Sequence, residues 1–173
     1  MKRRVKSQEW VGPGTPLTAA GVLDRLAQIE LEGIEFYKGL ARGTQHEWVR
    51  ELSEVMVEAE QRHYDRFTKY AEAARTSSDP ADNALTGALP AQVMRLMSET
   101  VFVTGDLAEK AGHNVDERRA LVMGIQAEKN TVFLLSQLRL YVPRNQRGYI
   151  NQVIKEEQNH QTQLESLYRK HFG

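Results

Sequence analysis

The sequence predicts an all-α fold in which two helical hairpins are joined by a long crossover. Apolar residues recur every three or four positions through four long segments, which is the period of amphipathic helices. Short links join the first segment to the second and the third to the fourth, whereas about 40 residues separate the second from the third. A four-helix bundle with one long crossover accommodates this pattern, and a chain of 173 residues is long enough for one such core.

The first hairpin follows an irregular arm. Residues 1–17 contain Gly and Pro with little periodicity, so we assign the bundle domain to residues 18–173. Thr18 is the expected N-cap of a helix over residues 18–42, and Gly43 lies just past its end. A second helix is predicted over residues 46–75. The apolar stripes consist of Val22, Leu26, Ile29, Gly33, Phe36 and Leu40 in the first helix and Val49, Leu52, Met56, Ala59, Phe67 and Tyr70 in the second.

The crossover begins with turn-forming residues at 76–82. It includes a short helix that starts after Leu89, with Pro90 in its first turn. Asp116 is the expected cap of a third helix over residues 117–142, and Pro143 precedes a fourth helix over residues 144–171. The apolar stripes consist of Leu121, Ile125, Val132 and Leu135 in the third helix and Ile150, Val153, Leu164 and Leu167 in the fourth.

A repeated motif of Glu and His lies on these stripes. Glu60-x-x-His63 in the second helix recurs as Glu157-x-x-His160 in the fourth, and a lone Glu precedes each copy at nearly the same separation. Residues three apart share one helix face, so each pair can reach one ion. Such pairs also occur by chance on solvated faces, but the matched lone Glu and the apolar stripes favour a two-metal site. The six predicted ligands are Glu32, Glu60, His63, Glu128, Glu157 and His160.

The charge of the four core-facing carboxylates indicates that they bind cations. Unpaired, each buried carboxylate would cost several kcal/mol or become protonated, and two divalent cations would compensate all four. Carboxylate and imidazole ligands suit iron, with manganese or zinc as alternatives, so we expect two Fe ions. Glu35, one turn after Glu32, is a candidate extra ligand, and its counterpart in the third helix is Thr131.

Several other residues near these motifs are expected to have structural roles. Tyr37, Tyr64 and Phe133 are interpreted as packing residues near the site. Glu156 points about 100° away from Glu157 around the helix, so we expect it to be exposed. The remaining histidines are expected at the surface, and they are His46, His113 and His171.

Composition excludes several classes of site and partner. The chain has 23 basic and 23 acidic side chains, which does not indicate binding to nucleic acid or to an anionic membrane. No apolar run is long enough for a transmembrane helix, and no apolar segment follows the basic N-terminus as it would in a secretory signal. The sequence has no Cys, which excludes disulfides, thiolate metal sites and iron–sulfur clusters. We therefore expect a cytoplasmic protein.

The chain resembles the ferritin-like di-iron superfamily, and its rubrerythrin branch most closely. Residues 29–41 look like that branch's first-helix motif and residues 127–133 like its third-helix counterpart. The two Glu-x-x-His motifs match the second and fourth helices. The resemblance covers about residues 18–171, and it implies a ferritin-like four-helix bundle and a homo-oligomer such as a dimer.

The resemblance also implies a role for each ligand. Glu60 and Glu157 would bridge the two irons. Each remaining Glu–His pair would complete the ligand set of one iron: Glu32 and His63 for the first iron, and Glu128 and His160 for the second. In the family the reduced metal pair reacts with hydrogen peroxide or dioxygen, which implies a di-iron oxidoreductase of peroxidase or ferroxidase type.

Two departures from the family pattern leave alternatives open. Rubrerythrins usually carry a rubredoxin domain with four Cys, whereas this chain has none, so we expect an external electron donor. Rubrerythrins also have an extra Glu one turn after the third-helix ligand, where this chain has Thr131. Glu35 of the first helix is the residue that could take the role of that Glu. A non-catalytic metal-binding or iron-storage protein of the same fold is the first alternative. A helical interaction module with a vestigial site is the second.

Overall fold

The structure, a computed structural model, describes residues 17–98 and 116–173. Over these ranges the chain is helical and has no strand, which confirms the all-α prediction. Residues 1–16 of the arm predicted over residues 1–17, and His113, lie outside the described residues. The helices are α1 (Ala19–Gly43), α2 (Glu47–Thr76), α3 (Ala91–Ser98), α4 (Glu117–Leu138) and α5 (Arg144–Phe172), and a 3-10 turn spans Pro80–Asn83.

The predicted caps of the first and third long helices are confirmed. The Thr18 hydroxyl accepts a hydrogen bond from the backbone N–H of Gly21, and the Asp116 carboxylate accepts one from Arg119. The predicted end of the third helix at residue 142 is wrong, because α4 ends at Leu138. Residues 139–142 form a tight turn before Pro143, which disfavours helical backbone in the residue that precedes it.

The long helices pack in a bundle-like arrangement. Helix α1 packs along α2, and α4 packs along α5, so each predicted hairpin forms. The hairpins meet where α1 contacts α4 and where α2 contacts α5. Their facing stripes form one apolar core that includes Leu26, Phe36, Met56, Leu121 and Ile150. Within the described ranges, no helix combines the length and the apolar composition needed to cross a membrane.

Hydrogen bonds fasten the crossover to the ends of both hairpins. The side chain of Asn83 accepts a hydrogen bond of 2.9 Å from the backbone N–H of Ala20, at the start of α1. The side chain of Gln146, at the start of α5, donates one of 2.9 Å to the backbone carbonyl of Asp82. The buried Arg25 of α1 donates from Nε to the carbonyl of Met97 in α3 at 2.5 Å. The described parts of the crossover therefore help to fix α1 relative to α5.

Candidate metal centre

Two groups of acidic and imidazole side chains meet between the long helices. Each group contains four residues, and one ligand atom from each residue lies within 4.8 Å of the others. Both groups contain Glu60 of α2 and Glu157 of α5. The first group adds Glu30 and His63, and the second adds Glu128 and His160. All four long helices thus contribute to one cluster with two overlapping halves.

The cluster is almost completely shielded from solvent. Its four carboxylates and His63 are at most 1% exposed, and His160 is 9% exposed. Buried carboxylates are rare unless they are paired or bind metal. Five of the six predicted ligands therefore lie together in the interior, where bound cations would offset their charge.

Glu32 is not part of the cluster, and Glu30 occupies the expected place. Glu32 accepts a hydrogen bond from Arg25 at 3.0 Å, and its side chain is 16% exposed. Residues two positions apart in a helix are separated by about 200° around its axis. Glu30 and Glu32 therefore point to nearly opposite sides of α1. The side of Glu32 faces Arg25 and α3, whereas the side of Glu30 faces α2 and α5.

Glu35 also lies away from the cluster. Its side chain is 61% exposed and forms an ion pair with Lys38 at 3.5 Å. The predicted pairing of Glu35 with Thr131 depended on Glu32 as the first-helix ligand. With Glu30 in that place, the residue equivalent to Thr131 is the buried Gly33. No carboxylate follows Glu30 or Glu128 by one turn on the same face.

Both histidines direct Nδ1 toward the carboxylates. Nδ1 of His63 lies 2.8 Å from Glu157 and 3.7 Å from both Glu30 and Glu60. Nδ1 of His160 lies 2.8 Å from Glu157 and 3.8 Å from Glu60. Neutral imidazole binds metals through either ring nitrogen, so Nδ1 is the nitrogen available for an ion here.

Glu156 orients the first of these rings. Its carboxylate lies 2.6 Å from Nε2 of His63, and its side chain is 30% exposed, so the prediction of a solvated residue is wrong. Glu156 points away from Glu157 on its own helix but reaches across to α2. Metal-binding histidines typically donate their second N–H to such a carboxylate, which fixes the tautomer and makes the other nitrogen a better ligand.

Tyr37 positions Glu128 of the cluster, as Glu156 positions His63. This fully buried side chain on α1 donates its hydroxyl hydrogen to Oε1 of Glu128 on α4. Burial, together with the surrounding carboxyl groups of the cluster, raises the pKa of Tyr37 well above its ordinary value. Tyr37 therefore keeps its proton and holds Glu128 in place. Tyr64 is partly buried against the core, whereas Phe133 is 41% exposed and not a packing residue at the site.

Unsatisfied polar atoms give an independent test of whether the residues fit a metal. Most buried polar atoms in proteins have hydrogen-bond partners, so exceptions need an explanation. Within the described chain, three carboxylate oxygens of the cluster are buried without one, and carboxylate oxygen is a ligand of divalent metals. They are Glu30 Oε1, Glu60 Oε1 and Glu128 Oε2, whereas His63 Nδ1 and Glu157 Oε1 lie 2.8 Å from each other. The donor set fits two ions that accept these lone pairs.

The protonation states of the cluster follow from burial and from mutual repulsion. Burial and the nearby charges of Glu60 and Glu157 raise the pKa of Glu30 and of Glu128 well above the ordinary carboxyl value. Burial would also raise the pKa of Glu157, but hydrogen bonds with His160 and His63 lower it to about 2.

For the two histidines, burial and the adjacent carboxylates shift the pKa in opposite directions. Burial by itself lowers their pKa, but adjacent carboxylates outweigh it and raise the pKa of His63 and of His160 above the ordinary value. A metal-free chain would therefore hold protons on both rings and on two of the carboxyl groups. Those protons compensate the same negative charge that cations would compensate.

Two surface histidines match their prediction. His46 and His171 are exposed and stack near Trp48, with ring centroids 6.0 Å and 3.9 Å away. This aromatic cluster lies where α2 begins and α5 ends, remote along both helices from Glu60 and Glu157. It stabilises that end of the helices and contributes nothing to the buried cluster.

Comparison with protein-family models, with curated proteins and with solved structures finds no match to this chain.

Proposed function

We propose that this chain is a ferritin-like di-iron carboxylate protein that oxidises Fe(II) and reduces hydrogen peroxide or dioxygen, with electrons from an external donor. One observation carries the proposal, namely two ligand groups that overlap at Glu60 and Glu157. A single-ion site would need only one such group. Carboxylates and imidazoles without thiolates favour iron or manganese over softer metals.

The residues divide into shared and separate ligands. Glu60 and Glu157 belong to both groups, so they would hold both ions. Glu30 with His63 would complete one position, and Glu128 with His160 the other. This assignment retains the ligand roles implied by the resemblance and replaces Glu32 by Glu30. A ferritin-like four-helix bundle, in which each hairpin supplies one Glu and one Glu-x-x-His motif, accounts for the doubled pattern.

The protein surroundings support redox chemistry over simple surface binding. When bound, a pair of reduced irons would supply two electrons for cleavage of an O–O bond. The apolar core around the cluster excludes bulk water, which strengthens the electrostatic interactions of the ligands. Tyr37 holds a proton at its hydroxyl beside Glu128, so a hydrogen-bond donor is present inside the site. Glu156 keeps the ring of His63 oriented.

The proposal is tested by loading the protein with Fe(II) anaerobically and adding hydrogen peroxide or oxygen. We expect two irons per chain and the appearance of oxo-bridged ferric absorption, faster with one of the two oxidants. In a Glu157→Gln variant, a shared ligand is lost and both ions should bind weakly. Glu165→Gln removes a carboxylate on the same helix that is 29% exposed and belongs to neither ligand group, so it serves as the control.

The outcomes separate the candidate functions. Two bound irons without oxidation would support the alternative, a metal-binding or iron-storage protein without turnover. Failure of the wild-type chain to bind Fe(II), Mn(II) or Zn(II) would leave only a helical module with a vestigial site and would sink the proposal.

A further inference from the structure

The two halves of the cluster have different supporting residues. Glu156 directly precedes Glu157 and contacts His63, whereas the residue that directly precedes Glu60 is Ala59, which has no carboxylate to offer His160. Because the Glu-x-x-His motifs occupy matching positions, this is a difference between equivalent places in the two hairpins.

A second difference concerns the carboxylates. Tyr37 follows Glu30 by two helical turns and donates to Glu128. The residue two turns after Glu128 is Leu135, which has no hydroxyl to donate to Glu30. Oε1 of Glu30 accordingly has no hydrogen-bond partner among the residues that the structure describes. One half therefore has an assisted histidine and an unassisted carboxylate, and the other half has the reverse.

Both differences favour a cation at Glu30 and His63. A carboxylate on Nε2 makes His63 a more basic ligand and adds negative charge nearby. Arg66 lies 3.4 Å from Glu156 and offsets part of that charge, but the contact of Glu156 with His63 is shorter, at 2.6 Å. In the other half, the hydrogen bond from Tyr37 withdraws electron density from Glu128 and lowers its strength as a ligand.

Solvent access differs in the same direction. The side chain of His63 is 0% exposed, whereas that of His160 is 11% exposed. An ion beside His160 would therefore be nearer to solvent.

We infer that the two metal positions are inequivalent, with a tightly held ion at Glu30 and His63 and an exchangeable ion at Glu128 and His160. The inference rests on the proposed di-metal function and assigns separate roles to the two ions. The first ion completes the folded core, and the second comes and goes through the side of His160. Glu156 and Tyr37 are the positioning residues that set this difference.

The test is an anaerobic titration of the metal-free protein with Co(II), followed by visible absorption and by NMR of the histidine rings. In the wild-type chain we expect two binding steps that differ by about tenfold or more. The ring signals of His63 should change at the first equivalent of Co(II) and those of His160 at the second. A chelator should remove the ion beside His160 first.

Two variants should change the Co(II) affinities of the two binding steps separately. Glu156→Gln should weaken the first step by about 10–100-fold, the usual effect of losing a hydrogen-bond partner of a metal-binding histidine, and should leave the second step unchanged. Tyr37→Phe has the same shape without the hydroxyl and should strengthen only the second step. Glu165→Gln, with a side chain 29% exposed against 30% for Glu156, should change neither. Circular dichroism checks that each variant keeps its helices.

The Co(II) titration separates inequivalence of the two metal positions from metal binding itself. If the wild-type chain binds two Co(II) ions with equal affinity, or if Glu156→Gln weakens both steps alike, the inequivalence is refuted and the two-metal site stands. If the wild-type chain binds no Co(II), the proposed function is refuted and this inference with it.

Discussion

At the scale of single residues, the choice between Glu30 and Glu32 is decided by the side of α1 on which each lies. Both carboxylates are compatible with a stripe that contains Leu26, Gly33 and Phe36, because α1 is buried on several sides. Glu30 faces the cluster, and Glu32 pairs with the buried Arg25. The two residues are therefore chemically alike in the sequence and have different surroundings in the structure.

Substitution of these two residues should give opposite results. Glu30→Gln should abolish tight binding of one metal ion and leave the metal-free chain at least as stable as the wild type, because burial raises the pKa of Glu30 and an uncharged Gln needs no proton to enter the folded core. Glu32→Gln should leave binding of both ions intact and destabilise the fold by about 1–3 kcal/mol, because it removes a charged partner from the buried Arg25. Metal content of the purified variants and thermal unfolding measure the two effects.

The contrary pattern would reverse the assignment. Loss of a metal ion in Glu32→Gln, with two ions kept in Glu30→Gln, would restore Glu32 as the ligand. Glu35→Gln should behave like the wild-type chain in both measurements, since the side chain of Glu35 is exposed and forms its ion pair with the exposed Lys38.

At the scale of helices, the breadth of burial determines how well periodicity locates functional residues. Sixteen of the 25 residues of α1 are buried, against ten of the 30 in α2. A narrow stripe identifies the inward face, and on α2 and α5 it led directly to the two Glu-x-x-His motifs. On α1 the buried surface is so wide that position on a stripe does not separate one Glu from another.

Glycines in two helices provide a test at this scale. A Cβ at Gly148, on the exposed side of α5, would meet no atom within 4 Å, so Gly148→Ala should stabilise the chain by about 0.5–1 kcal/mol through helix propensity. A Cβ at Gly124 in α4 would lie 3.5 Å from the Tyr37 hydroxyl and 3.6 Å from Leu164 and Phe36. Gly124→Leu adds three further carbons there, so it should cost about 1–3 kcal/mol and displace Tyr37.

Chemical denaturation measures both glycine variants. Equal stability of Gly124→Leu and the wild-type chain would show that α1 and α4 do not approach each other as closely as the structure indicates.

At the scale of the whole molecule, the cluster links folding to pH and to metal. The folded-state pKa values of Glu30, Glu128, His63 and His160 are raised, so the metal-free folded chain holds more protons than the unfolded chain. Stability from such groups is fully present below their unfolded pKa values and is lost as pH rises toward their folded ones. Glu157 behaves oppositely, and its contribution is lost only as pH falls from about 4.5 toward 2.

The metal-free chain should therefore become less stable as pH rises from about 6 to about 8.5, where the raised groups dominate. A bound metal must displace the same protons, so its affinity should increase over this range. The difference in melting temperature between the metal-loaded and metal-free chains should accordingly widen with pH. Calorimetric scans at several pH values measure it, and a gap that narrows with rising pH would contradict the charge balance described here.

The helices, most of their ends and five of the six side chains of the buried cluster are predictable from the sequence, because these depend on local periodicity, capping and the spacing of Glu and His along single helices. The packing of the helices fixed the remainder. Glu30 replaces Glu32 since the rotation of α1 relative to α2 and α5 is set by packing over its whole length. Glu156 reaches His63 from another helix, and Tyr37 reaches Glu128 across the hairpins. Contacts between helices depend on how the helices pack against one another, and spacing along a single helix does not contain that information.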